Sequence, residues 1–71
     1  MKPEWLTIIV EARTAQEAQE EAVRQVRADP TKRLRTVTRV RPRPFDGTDW
    51  PNPNRWSVEV AYVAVDPGLG L

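Results

Sequence analysis

The sequence predicts a small α+β domain: β-α-β-β in chain order, a three-stranded antiparallel sheet of spatial order 1-3-2, and one helix on one face. Three observations carry this. Residues 5–13 and 55–65 are dense in β-branched and aromatic side chains. A capped, alanine-rich segment with helical periodicity follows the first of them. Residues 32–41 then alternate along a third extended run. A chain of 71 residues makes one domain, and such a chain buries only about 60% of its unfolded surface.

The first predicted strand, residues 5–13 ("WLTIIVEAR"), places Leu6, Ile8, Val10 and Ala12 on one face and Trp5, Thr7, Ile9, Glu11 and Arg13 on the other. Thr14, with Glu17 three residues on, is a capping box that opens a helix over residues 15–28. Its buried stripe would be Ala15, Ala18, Ala22, Val23 and Val26, which are small and allow close approach to a sheet. Gln16, Glu20, Arg24 and Arg27 face water, with Glu20 and Arg24 as an i,i+4 pair. Asp29-Pro30 stops the helix, because proline pushes the preceding residue out of the helical region.

The second predicted strand covers residues 32–41 and the third residues 55–65, joined by a proline-rich turn over residues 42–54; residues 66–71 form a loose tail. The helical crossover makes the first two strands parallel in direction. The third, which is the most apolar, then lies between them, and the charged second strand suits an edge. One helix covers one sheet face. The other would expose Trp5, Thr7 and Ile9, joined from the third strand by either Trp56, Val58, Val60 and Tyr62 or Ser57, Glu59, Ala61 and Val63. Such an apolar face predicts self-association.

Composition narrows the function. The chain has no Cys and no His, which removes disulfides, thiol chemistry, most catalytic triads and the usual zinc donors. Ser57 is the only serine and sits inside a predicted strand. The expectation is a non-enzyme without metal or cofactor, stabilised as a homo-oligomer, since small domains without disulfide or metal lean on a partner subunit. No apolar run reaches the ~20 residues of a membrane span, and "WLTIIV" is too short for a signal-peptide core. The expected location is the cytoplasm.

Charge is unevenly placed. Residues 1–31 carry a net −2, residues 32–44 a net +6 and residues 45–71 a net −3. In the basic segment, plain alternation projects Arg33, Arg35, Arg39, Arg41 and Arg43 from one side, and Leu34, Thr36, Thr38 and Val40 from the core side. The row would span roughly 30 Å at about 3.3 Å per residue. It suits phosphates, and a β-ribbon in a nucleic-acid groove is an established geometry. It equally suits an acidic protein surface, because the remainder of the molecule is acidic. The turn adds Phe45, Asp46, Asp49 and Trp50, stiffened by Pro42, Pro44, Pro51 and Pro53. A restrained loop bearing a Trp loses little entropy on binding, and Trp is a frequent hot spot. Glu17, Glu20 and Glu21 read as a solvated helix face.

The segments "WSVEVAYVAV" (residues 56–65) and "TVTRVR" (residues 36–41) in this β-α-β-β order resemble the layout of dodecins, small flavin-binding proteins that form hollow dodecamers. The resemblance implies small-molecule binding, but the position of the flavin-stacking Trp falls near Val37. The opening "IIVEARTAQEAQEEA" (residues 8–22) is similar to that of many small bacterial and bacteriophage proteins. The leading expectation is an oligomeric interaction module, a bacterial or phage accessory protein, that binds a protein partner through Phe45, Asp46, Asp49 and Trp50. The alternatives are nucleic-acid binding through the five arginines and dodecin-like small-molecule binding.

Overall fold

A computed structural model describes residues 2–44 and 50–65. It contains β1 (Glu4–Glu11), α1 (Ala15–Arg27), β2 (Lys32–Pro42) and β3 (Arg55–Ala64). The three strands form one antiparallel sheet in the order β1-β3-β2, with the apolar strand in the middle as predicted. The first strand stops two residues before its predicted end. Ala12 instead donates its N–H to the Asn54 carbonyl at 2.7 Å, and its own carbonyl accepts from the Trp56 Nε1–H at 2.8 Å.

The N-terminus of α1 is capped as its sequence requires. Thr14 is extended (φ −135°, ψ 161°) and its hydroxyl accepts from the Glu17 N–H at 3.1 Å. The return bond lands one residue early, from the Arg13 N–H to Glu17 Oε2 at 3.1 Å, rather than on Thr14. Ala18, Ala22 and Val26 are buried, while Ala15, expected in the same stripe, is exposed at the first turn. Arg24 pairs with Glu21, one position closer than the predicted Glu20.

Asp29 closes the helix. Its carboxylate accepts from the Thr31 N–H (2.9 Å), the Thr31 hydroxyl (2.6 Å) and Lys32 Nζ (2.7 Å). The lysine first, and then the threonine, hold this carboxyl well below the usual carboxylate range. The same pairing raises Lys32, whose ammonium also lies 5.7 Å from the centre of the Tyr62 ring. The Tyr62 hydroxyl is pushed up, mainly by burial and then by its bond with Glu4.

The core is thin. Val10, Ala18, Ala22, Val26, Val58 and Val60 form its centre, with Leu6, Ile8, Leu34, Val37, Val40 and Trp56 packed around them. The helix-facing set of β3 is therefore Trp56, Val58, Val60 and Tyr62, and the open face takes Ser57, Glu59, Ala61 and Val63.

β2 departs from plain alternation. Its register with β3 slips between Leu34 and Thr36 and again between Val37 and Arg39, so Arg35 and Thr38 each occupy a bulge. Each extra residue inverts the facing of the residues after it. Leu34, Val37 and Val40 thus all point to the core, opposite Tyr62, Val60 and Val58. Thr36 moves to the open face opposite Ala61, and Thr38 turns its hydroxyl to Glu59 rather than inward. The expectation that Thr36 and Thr38 line the core fails for this reason.

Candidate interaction surface

The open sheet face is the most distinctive surface among the described residues. Cross-strand register sets out its rows. Trp5 stands beside Ala61 and Thr36, Thr7 beside Glu59 and Arg39, and Ile9 beside Ser57 and Arg41. Trp5 is 61% exposed and Ile9 43%, whereas Ala61 between its larger neighbours is only 6% exposed. The face is consequently mainly apolar along β1 as far as Glu11 at its end, and cationic along β2, with Glu59 between them.

The predicted row of five arginines is rearranged by the bulges. Arg33, Arg39 and Arg41 share the open face, opposite Val63, Glu59 and Ser57. Six residue steps of β2 from Arg33 to Arg39 span only four of β3, which draws these two arginines together by about two residue rises, or ~7 Å. Arg35 is the bulged residue. Arg43 follows the end of β2, and its N–H donates to the Arg55 carbonyl at 2.9 Å.

A second feature lies at the start of β2. A concavity of about 430 Å³ is lined by Arg27, Pro30, Lys32, Arg33, Leu34 and Arg35, and by Val65. Four cations from the helix end and the strand converge there. Lys32 is matched by Asp29, but Arg27, Arg33 and Arg35 form no ion pair among the described residues. Arg55, opposite Glu11 at the far end of β3, has a buried Nη1 with no hydrogen-bond partner among the described residues.

Of the predicted turn residues, Phe45, Asp46 and Asp49 lie outside the described residues. Trp50 is 82% exposed, so it does not cap the core. The connection beside it is tied down by the Asn52 N–H to the Pro44 carbonyl (2.8 Å), the Asn54 N–H to Asn52 Oδ1 (2.9 Å) and Asn52 Nδ2 to Glu11 Oε1 (3.0 Å). Trp5 is expected from the sequence on the uncovered, self-associating face but not among the partner-binding residues, and its exposure adds it to them. Its signal in the sequence is an aromatic on the strand face that a single helix cannot cover.

No cluster of three or more metal-type ligands occurs among the described residues. No helix there is long and apolar enough to cross a membrane. Val37, near which the layout resemblance would put a stacking aromatic, packs against the core on the helix side of the sheet. Comparison of the chain with protein-family models, with curated proteins and with solved structures gives no match.

Proposed function

We propose that this protein is a non-catalytic interaction module that takes an acidic protein segment bearing apolar side chains across the open face of its sheet. The observation that carries this reading is Trp5, largely exposed on the same face as Arg39 and Arg41. An exposed indole on one margin of a face whose other margin carries guanidinium groups supplies residue types that dominate binding energy at protein interfaces. Glu59 at the centre of the face repels any anion over it, so the acidic groups of the segment would meet the arginines at the β2 margin while its apolar groups lie along β1. Trp50, in the hairpin connection at the other end of the sheet, is a second exposed aromatic.

The test is binding of an immobilised panel of acidic peptides with and without aromatic residues. Wild type should retain the acidic aromatic members in a salt-sensitive way. Trp5→Ala and the double substitution R39E/R41E should each lose them. Equal retention by wild type and both variants would sink the reading.

A second reading, nucleic-acid binding, is favoured by the basic concavity at Arg27, Lys32, Arg33 and Arg35. Phosphate contacts dominate nucleic-acid affinity and weaken steeply with salt. A labelled oligonucleotide that binds wild type at low salt, and is lost with R27E/R35E but kept with R39E/R41E, would favour this reading over the first. No binding at any salt would remove it.

A further inference from the structure

The sheet has two edges, β1 and β2, and they are built differently. β2 carries two bulges, the cations Arg33, Arg35, Arg39 and Arg41, and Pro42, all devices that prevent another strand from pairing. β1 carries none of them. Its pairing with β3 is unbroken over eight residues, and no charge or proline lies between Glu4 and Glu11. Roughly half of its backbone N–H and C=O groups point away from β3 with no strand to receive them.

The β1 edge is also under-covered on both faces. On the open side stand Trp5 and Ile9. On the helix side, Leu6 and Ile8 are only half-buried, because a groove of about 200 Å³ runs between them and Gln25, Val26, Asp29 and Lys32. A strand added to this edge would shield apolar residues on both sides of the sheet at once. A ligand lying on the open face alone would shield only one.

We infer that β1 pairs antiparallel with β1 of a second copy, about a two-fold axis through Thr7, giving a continuous six-stranded sheet. A two-fold normal to the sheet requires opposed residues to share a face, so only registers centred on a residue are allowed. Centred on Thr7, the register sets Trp5 against Ile9 on the open side, Leu6 against Ile8 on the helix side, and Thr7 against itself. Glu4 then faces Val10, no glutamate faces another, and Pro3, which has no N–H to give, ends the ladder opposite Glu11. Centred on Ile8, the register puts Trp5 against Glu11 and Thr7 against Ile9. Centred on Leu6, it sets Ile9 against Pro3, outside the strand. The strand is thus self-complementary in one register, which selects a second copy over a foreign strand. Aromatic–β-branched and Thr–Thr pairs are among the favourable cross-strand neighbours.

The pairing has a consequence for surface area. Three strands about 4.8 Å apart and some 25–30 Å long offer about 400 Å² of face. A stable protein interface uses about 800 Å² per partner. The paired sheet reaches that scale and places both Trp5–Ile9 pairs along its centre, with the arginines on its outer margins. The dimer itself does not depend on the proposed binding of an acidic partner.

The chain has no cysteine, so single thiols report register cleanly. Light scattering should give twice the 8.1 kDa chain mass for wild type. T7C should form a disulfide dimer readily and I9C should not. T7K sets two ammonium groups against each other across the axis, yet within its own chain the new lysine faces Glu59. It should therefore stay folded by circular dichroism and run as a monomer, while an equimolar mixture of T7K and T7E should recover the dimer. A wild type at the single chain mass at every concentration would overturn the inference. So would a T7K that remains dimeric, or an I9C that cross-links as readily as T7C. Loss of peptide binding with an intact dimer would count only against the function proposed above.

Discussion

The Thr38 hydroxyl donates to Glu59 Oε1 at 2.8 Å, reaching from the second bulge of β2 to the central strand. This bond gives the bulged residue a partner that plain strand pairing would not, and fixes the one carboxylate in the middle of the open face. Thr38→Val keeps the β-branched shape and removes the hydroxyl. Because the bond is exposed, the cost should sit near the lower end for a hydrogen bond, about 0.5 kcal/mol. Urea denaturation should show a lower midpoint with an unchanged slope. An unchanged midpoint would mean that water replaces the hydroxyl without loss.

That bond also marks where the sequence is legible and where it is not. The strand order follows from the strand direction that the helical crossover sets and from hydrophobicity, since residues 55–64 are the most continuously apolar of the three strands and so suit the middle. Thr14 and Glu17 announce the helix start. Uninterrupted alternation misreads the second strand. Its own apolar residues, Leu34, Val37 and Val40, are spaced by three, not two. Two intervals of three on a strand that buries one face require two extra residues, and these are the bulges at Arg35 and Thr38. Val37, the one interruption in the odd-numbered arginines, is a core residue for that reason. The choice between the two faces of β3 is left open by alternation, although Ser57 and Glu59 make one of the two sets much the costlier to bury. It is decided by the valines that fit against Ala18 and Ala22.

Those alanines let the helix approach closely, and the valines opposite them have no exposure to lose. Val58 and Val60 are fully buried. Val60→Ala removes two methyl groups and leaves a cavity, at a cost of about 2 kcal/mol. In a domain this small that is a large part of the total stability. Val63→Ala, on the open face, should cost far less. Parallel thermal melts decide the matter, and comparable losses at both positions would contradict a core confined to the helix side.

The Asp29–Lys32 pair sets a pH window. The carboxyl of Asp29 lies below its ordinary range when folded, so its contribution is full above the unfolded pKa of about 4 and fades as pH falls toward the folded value. Lys32 is raised, so its share is full below the ordinary lysine pKa of about 10.4 and is lost as pH rises through the elevated folded value. Asp29→Asn should therefore melt below wild type by a constant margin between about pH 5 and 9, and the margin should shrink below about pH 4. The groups are surface-placed, so added salt should narrow it too. A margin unchanged into strong acid would show that the Thr31 turn, not charge, is what Asp29 supplies.

Three contacts bind the end of β1 to the hairpin connection: Trp56 Nε1 to the Ala12 carbonyl, the Ala12 N–H to the Asn54 carbonyl, and Asn52 Nδ2 to the Glu11 carboxylate. They differ in setting. The indole bond is part-buried, and its ring packs against the core, whereas the amide bond is exposed. Trp56→Phe keeps most of the apolar body but deletes the donor and part of the ring, and should cost about 1–2 kcal/mol. Asn52→Ala gives up one exposed bond, worth about 0.5 kcal/mol. Both act on the same short junction, so the double substitution should cost less than the two single losses added together, as coupled neighbours do. Loosening the junction with either change would already free the other contact from part of its task. Strict additivity in a double-mutant cycle would instead mean that the two bonds hold independent pieces of the chain.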